Sequence, residues 1–366
     1  MARFLHCADL HLDTKFQYLD EEKNAARREE LRAVFSRIVS LAIAERIDVV
    51  FIAGDLFEGI NATADSLELI CSEMERAKPI RFFISPGNHD PFTPASQYAL
   101  MPFPENAHVF RTTTVERIVL PELNLTVYGA GFISTTCAGG LLTGFQKDPS
   151  DQASVCVIHG DLNQATPYHY ISNQDIEQSG FDYLALGHIH AFALYQRGKT
   201  VYAYPGVPEG RGFDERGDKG VILGEIANGK VTTQFRSTAN RKYFAEAIDV
   251  TGCVSSEDVV ARIMACSFEE PQRNFFKLTC KGVADFALDL DEIMESIAQS
   301  FYFVKLSDET TADISGMPLH EDSLKGIFLN NIEAALKAAP DEKQKHLLTM
   351  AKHYGSSALE RREIKL

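Results

Sequence analysis

The chemistry in this sequence lies in five short clusters of carboxylate, amide and imidazole side chains, each placed just after an apolar run. Asp9-x-His11 follows Phe4-Leu5 in ADLHLD, Asp55 follows Val49 to Ala53 in AGDLFEG, and Asn88-His89 follows Ile80 to Ile84 in PGNHDP. His159 follows Val155 to Ile158 in IHGD, and His188-x-His190 follows Tyr183 to Leu186 in LGHIHA. Oxygen and imidazole donors without a thiolate suit borderline-hard cations such as Mn²⁺, Fe²⁺ or Zn²⁺. About seven such ligands suffice for two ions if one carboxylate bridges them, and a pair of ions about 3.5–4 Å apart is the usual device for displacement at phosphorus. Taken singly, each histidine is more often structural than a ligand, and GNHD alone reads as a turn. The recurrence of compatible donors after five strands carries the reading.

Donors so far apart in sequence meet only where strands bring them together, and in α/β sheets the carboxyl ends of the strands form the crevice that binds ligands. Two more apolar runs, Leu125 to Tyr128 and Val201 to Tyr204, read as buried strands. Leu31, Val34, Phe35, Ile38 and Ala42 line one face of a long helix, and a second helix carries Leu67, Ile70, Cys71 and Met74, with Asp65 or Ser66 as its cap. Val221 to Leu223 and Val231 to Phe235 flank Asn228-Gly229, a hairpin signal. These elements predict an α/β fold, a two-sheet sandwich with helices outside.

From about residue 240 to 310 the pattern changes to β-α-β-α-β, with Ser255 as a helix cap, which suits a small split capping domain. A helix over Leu324 to Ala339, stopped by Pro340, carries an apolar stripe of Leu324, Ile327, Phe328, Ile332, Ala335 and Leu336. The stripe suits either a partner's groove or the protein's own cap. The expected division is 1–238 for the core, 239–312 for the cap and 313–366 for a C-terminal helical, partner-binding segment.

The 366 residues are 45% hydrophobic and 24% charged, the composition of an ordinary globular protein of about two domains. Thirty-six Lys and Arg against 51 Asp and Glu leave a net charge of −15, which counts mildly against unaided, tight DNA binding. It does not count against a metal enzyme, where bound cations reverse the local field. The seven cysteines are scattered with no CxxC, so they read as reduced thiols. No apolar run is long enough to span a bilayer and no signal-peptide pattern opens the chain; the expected location is cytoplasmic.

The motif series resembles the calcineurin-like metallophosphoesterase superfamily, whose pattern is DxH, GD, GNH, H and GHxH in this order. The matching residues are Asp9/His11, Gly54-Asp55, Gly87-Asn88-His89, His159 and Gly187-His188/His190. The resemblance implies that Asp9, His11, Asp55 and His190 hold one metal, that Asp55, Asn88, His159 and His188 hold the other, and that catalytic His89 faces the scissile phosphate. There it protonates the leaving oxygen or stabilises transition-state charge. RFLHCADLHLDTKF, YPGVPEGRGF and DKGVILGEI further resemble SbcD-type DNA-repair exonucleases of a YhaO-like bacterial branch. That likeness implies a Mn-dependent DNA exonuclease with two divalent ions, an SbcC-like coiled-coil ATPase as partner and a homodimer. The same constellation serves the alternative, a small-molecule phosphodiesterase acting on cyclic nucleotides or nucleotide phosphates.

The chain departs from the family where many relatives place an aspartate that bonds the catalytic histidine: here stands Glu58, either orienting His89 or lying on the surface. Arg211 and Arg216, in PEGRGFDERGDKG, either contact substrate phosphate or sit in a solvated loop. Tyr168 and His169 either line the substrate groove or pack a loop, and Asp13 and Asp90 either orient ligands or make turns. His6, His108, His320, His346 and His353 fit no motif.

Overall fold

In the computed structural model of the chain, which describes residues 1–60, 62–137, 139–162, 167–311 and 324–359, the apolar runs form strands buried on both faces. The first of two units, Met1–Phe244, runs β1 (Ala2–Cys7), α1 (Glu21–Ala44), β2 (Val49–Ile52), α2 (Ala64–Arg76), β3 (Arg81–Ile84), α3 (Gln97–Leu100) and β4 (Ala107–Val109). It continues with β5 (Glu116–Leu120), β6 (Leu125–Gly129), β7 (Ala153–His159), α4 (Asn173–Ser179), β8 (Tyr183–Gly187), β9 (Ala193–Arg197) and β10 (Thr200–Tyr204). The hairpin of β11 (Gly220–Ala227) and β12 (Lys230–Ser237) completes it.

These strands make two six-stranded sheets, ordered β12-β11-β1-β2-β3-β4 and β5-β6-β7-β8-β10-β9. In the first, β1 to β4 are parallel; in the second, β6, β7, β8 and β10 are parallel. Alternation along each strand sends side chains to opposite faces. Phe4, Val49, Phe51, Val155, Val157 and Ala185 fill the space between the sheets. Leu5, Val50 and Ile52 point outward to Leu31, Phe35 and Ile38 of α1. Cys156, Ile158 and Leu184 point the other way, to Ile176 and Phe181 around α4. Each fully buried aliphatic or aromatic side chain of this kind is worth about 1.5–3 kcal/mol. The sandwich expected from the sequence is therefore present, with helices on its outer faces.

Local signals act as the sequence suggests, with one correction. Asn228 (φ 53°) and Gly229 (φ 71°) turn the β11–β12 hairpin through the left-handed region. The cap of α2 is Thr63 rather than Asp65 or Ser66; its Oγ1 accepts from the Ser66 N–H at 3.4 Å and donates to Asp13 at 2.8 Å. Asp13 also accepts from the Thr63 N–H at 2.9 Å, so this carboxylate tethers α2 to the loop after β1.

The second unit, Ala245–Leu366, begins inside β13 (Tyr243–Asp249) and holds α5 (Ser256–Met264), β14 (Phe275–Lys281), α6 (Leu290–Ile297) and β15 (Phe303–Asp308). Its three-stranded sheet is ordered β13-β14-β15, and Ser255 caps α5 by accepting from the Asp258 N–H. The β-α-β-α-β order is the expected one. Beyond it, α7 (Leu324–Ala338) packs on α8 (Glu342–Leu359). Phe328 of the apolar stripe lies against Gly355 of α8, whereas Leu324 and Ile327 are 73% and 49% exposed.

The two sheets converge at the carboxyl ends of β2 and β8, and a missing side chain permits it. A β-carbon on Gly187 would lie 1.7 Å from the Ala53 carbonyl oxygen. Gly187→Ala must push β8 off β2, and overpacking of this kind costs about 1–3 kcal/mol. Urea denaturation should show a lower midpoint with an unchanged slope; an unchanged midpoint contradicts the close approach.

Candidate metal centre

The loops following β1 and β2 are zipped together by backbone hydrogen bonds. Asp9 N–H donates to Gly54 O at 3.0 Å, His11 N–H to Asp55 O at 2.9 Å, and Leu12 N–H to Leu56 O at 3.0 Å. This ladder turns the chain sharply, and Asp9 (φ 54°), His11 (φ 45°), Asp55 (φ 50°) and His188 (φ 108°) all adopt positive φ. Non-glycine residues held there are strained, and such strain clusters at functional sites.

Asp55 sits at the centre. Its Oδ1 accepts the His89 backbone N–H at 2.9 Å, and its Oδ2 lies 3.6 Å from His11 Nε2 and 3.5 Å from His159 Nε2. Both oxygens of Asp9 accept the His188 N–H at 3.1 Å. Asn88 Oδ1 lies 3.0 Å from His159 Nε2 and 3.2 Å from His188 Nδ1. Donor atoms of Asp9, His11 and His190 converge within 4.8 Å of one another, as do those of Asp9, Asp55 and His159.

The far sides of the rings are fixed as well. His11 Nδ1 donates to Glu58 Oε2 at 2.6 Å and His159 Nδ1 to the Ala53 carbonyl at 2.9 Å, while His190 Nδ1 lies 2.8 Å from Glu215 Oε1 and accepts from Arg211 Nη2 at 3.1 Å. The first two contacts place the ring proton outward and leave Nε2 of His11 and His159 as a lone-pair donor. His89, whose side chain is 42% exposed, donates through Nδ1 to the other oxygen of Glu58 at 3.0 Å.

Burial pushes the Asp9 carboxyl up to about 7, with the neighbouring Asp55 charge adding to it. Burial also pushes His159 down to about 4, and lowers His11 and His188. Burial works to raise Asp55, but the charges of His159, His11 and His89 outweigh it and lower the group. The hydrogen bond to Glu58 raises His89. Glu215 falls to about 2, because its bonds to His190 and Arg211 overcome burial.

These residues fit a pair of divalent cations. His11 Nε2 is buried with no hydrogen-bond partner, two adjoining carboxylates are buried with imidazole lone pairs aimed at them, and no thiol competes. Cys7 nearby is a buried thiol pushed up to about 12. A cation between the carboxylates would relieve their mutual repulsion and satisfy the orphaned nitrogen.

Asp9, His11, Asp55, Asn88, His89, His159, His188 and His190 are thus gathered in one place, and Glu58 joins them by bridging His11 and His89. Asp90 lies behind the centre: it accepts from the backbone N–H groups of Asp55 (3.2 Å), Gly87 (2.8 Å) and Phe57 (3.1 Å) and from Tyr98 (2.5 Å). Arg211 is tied to Glu215 (2.6 Å) and Glu58 (3.3 Å), so its guanidinium braces the centre, while Arg216 is exposed. Tyr168 stands with its ring 5.0 Å from that of His188, and buried His169 donates to the His159 carbonyl at 2.8 Å. Of the unassigned histidines, His6 is in the core bonded to Tyr183, His108 faces Glu116, and His320 lies outside the described residues. Sequence reasoning missed Glu215, whose only signal was its place in the glycine-rich loop that drew attention to Arg211.

Paired carboxylates and imidazoles at the ends of parallel strands in an α/β sandwich define a dinuclear-metal phosphoesterase. Residues 2–192 match the calcineurin-like phosphoesterase family, and the chain belongs to it. It is 27% identical over 290 residues to the metallophosphoesterase YhaO of Bacillus subtilis, covering 76% of this chain and 69% of that one. It is 29% identical over 217 residues to the DNA double-strand break repair protein Mre11 of Saccharolobus solfataricus, covering 57% and 55% respectively. A shorter match, 30% over 93 residues, is to a component of the nuclease SbcCD of Rhodobacter capsulatus and covers 24% of this chain and 22% of that one. The alignments thus take in about two thirds of YhaO and about half of Mre11.

Asp90 generates a prediction. Asp90→Asn replaces one acceptor oxygen with a donor facing backbone N–H groups, and each buried group left unpaired costs about 1–3 kcal/mol. Stability should fall by about that amount in chemical denaturation. Unaltered stability would mean that Asp90 does not prop the loops of Asp55 and Gly87.

Proposed function

We propose that this phosphoesterase is a Mn²⁺-dependent DNA exonuclease acting in a repair complex with an SbcC-like coiled-coil ATPase. The observation that carries the reading is the convergence of five post-strand loops on Asp55 with His89 at the open edge, joined to the repair and nuclease names borne by the relatives. Asp9, His11, Asp55 and His190 would hold one cation, and Asp55, Asn88, His159 and His188 the other. Such a pair supplies Lewis-acid activation of water and neutralises charge on the phosphoryl oxygens. Mn²⁺ suits the oxygen and imidazole donors, with Fe²⁺ or Zn²⁺ as alternatives.

The chain's own residues do the rest. Asp55 would serve both positions, and its orientation is fixed by the His89 N–H. Glu58 aims His89 and favours its charged form, and an imidazolium there would donate a proton to the leaving oxygen or oppose its charge. A chain of net charge −15 gains affinity for DNA when a partner contributes positive surface. A cytoplasmic location and a homodimer belong to the same proposal. Among the described residues no helix is long and apolar enough to cross a membrane.

The alternative substrate, a cyclic nucleotide or nucleotide phosphate, is favoured by one feature. The cleft of about 500 Å³ beside Glu58 is lined by Asp13, Asp214 and Glu215 as well as Lys15 and Arg211, an acidic balance unsuited to a polyanion. Single- and double-stranded DNA, cyclic nucleotides and a chromogenic phosphodiester assayed together in Mn²⁺ separate the two. Progressive shortening of DNA from its ends is expected; turnover confined to the small diesters selects the alternative. In the same panel, Asp55→Asn should abolish hydrolysis and lower metal content, whereas His89→Ala should keep both metals and lose about 10²- to 10⁴-fold in turnover. Metal loss in His89→Ala would make it a ligand instead.

The proposed docking surface is α7, where Leu324 and Ile327 remain exposed although Phe328 turns to α8. Truncation after residue 312 should leave hydrolysis of a small phosphodiester intact and end co-purification with the ATPase. Persistent co-purification would place the docking surface elsewhere.

A further inference from the structure

The loop between β10 and β11 is held at successive points by residues outside the metal centre. Buried Arg27 donates through Nη2 to the Gly210 carbonyl at 2.8 Å and through Nη1 to Glu209 at 3.1 Å. One residue on, the Tyr18 hydroxyl donates to the Arg211 carbonyl at 2.9 Å and lies 2.8 Å from the Tyr243 hydroxyl. A hydroxyl carries one proton, so Tyr18 spends its own on Arg211 and accepts that of Tyr243. Burial raises both phenols and keeps them in this form. The Tyr243 ring, which opens β13 and is 1% exposed, backs the same loop. Phe213 packs edge-on against it at 5.3 Å, and a β-carbon on Gly210 would lie 3.1 Å from its Cδ2.

The side chain that this anchoring aims is Arg211. Its Nη2 donates to Glu215 Oε1 at 2.6 Å and to His190 Nδ1 at 3.1 Å, and its Nη1 donates to Glu58 Oε2 at 3.3 Å. The other oxygen of Glu58 accepts from His89 Nδ1 at 3.0 Å. We infer that Tyr18 and Tyr243 are positioning residues of the phosphoesterase reaction, acting through Arg211 and Glu58 on His89. The relay is directional: Tyr243 orients Tyr18, Tyr18 fixes the backbone of Arg211, and the guanidinium steadies the glutamate that aims the imidazole. Glu58 is shared between His11 and His89 and its side chain is 33% exposed, so its carboxylate has room to swing unless a third partner holds it. A group that assists only in the transition state loses rate when misaimed, and misplacement by about an ångström from a distant residue costs up to about 10²-fold.

The inference rests on the role proposed for His89, and one panel tells their failures apart. The full-length protein in saturating Mn²⁺ is assayed on a chromogenic phosphodiester. Tyr18→Phe keeps the ring, removes the hydroxyl, and should lower kcat about 10-fold with KM held within about twofold. Tyr243→Phe should lower kcat in the same direction, and Mn²⁺ bound per chain should match the wild type in both. Introduced into Arg211→Ala, Tyr18→Phe should cost no further kcat, because the side chain through which it acts is gone, while its effect on the urea midpoint persists. If Tyr243→Phe, at a buried ring, fails to fold, Tyr18→Phe at a half-buried one decides alone. An unchanged kcat in either folded tyrosine variant, a raised KM with kcat intact, loss of metal, or an equal loss of kcat in the Arg211→Ala background overturns the inference. His89→Ala is run beside them. No loss of kcat there defeats the role of His89 itself, whereas a loss there with none in Tyr18→Phe defeats this inference alone.

Discussion

Asp9 and Asp55 are buried at the ends of neighbouring parallel strands, close enough that each charge disfavours the other. A fold that places two carboxylates in this way must hold them against their own repulsion, and much of the surrounding structure does so. Backbone N–H groups of His188 and His89 point at them, imidazoles of His11 and His159 flank Asp55, and Asp90 pins the backbone from behind. The sandwich permits this because its two sheets approach until only glycine fits between Ala53 and β8. The motif glycines and the motif acids are therefore one device: the former bring strand ends together and so set the latter side by side.

The interior of the fold was legible in the sequence because buried parallel strands read as uninterrupted apolar runs. Val49 to Ile52, Val155 to Ile158 and Tyr183 to Leu186 each fill two cores at once. The edge strands β4, β5 and β9 escaped notice for the converse reason. Their residues are half exposed, as in ERIVL and ALYQR, and carry little periodic signal. The cap of α2 was misplaced by two or three residues because Asp65 and Ser66 are also good caps. Tertiary contact decided for Thr63, whose hydroxyl and N–H both reach Asp13.

The centre itself was legible residue by residue, since its donors sit in short motifs at fixed distances from strands. Its supports were not. Glu58 is three residues from Asp55 in sequence, yet its double contact depends on how the loops after β1 and β3 bring His11 and His89 side by side, 4.7 Å between ring centroids. Glu215 comes from a loop after β10, and nothing in GRGFDERG distinguishes an acid bound to a buried histidine from one in solvent. Arg211 drew attention as a phosphate contact because arginine so often serves that role. Half-buried against two glutamates and lining the cleft, it also sets the electrostatic background of the histidines beside it.

Positive φ at four non-glycine residues and a carboxyl raised by burial are costs that the polypeptide bears at the centre before any cation arrives. They are carried by the cores on either side, where α1 and α4 seal the sheets. A cation that binds only the folded arrangement stabilises it in proportion to the logarithm of its concentration over its dissociation constant. Loading would thus strengthen the part of the fold that bears these costs.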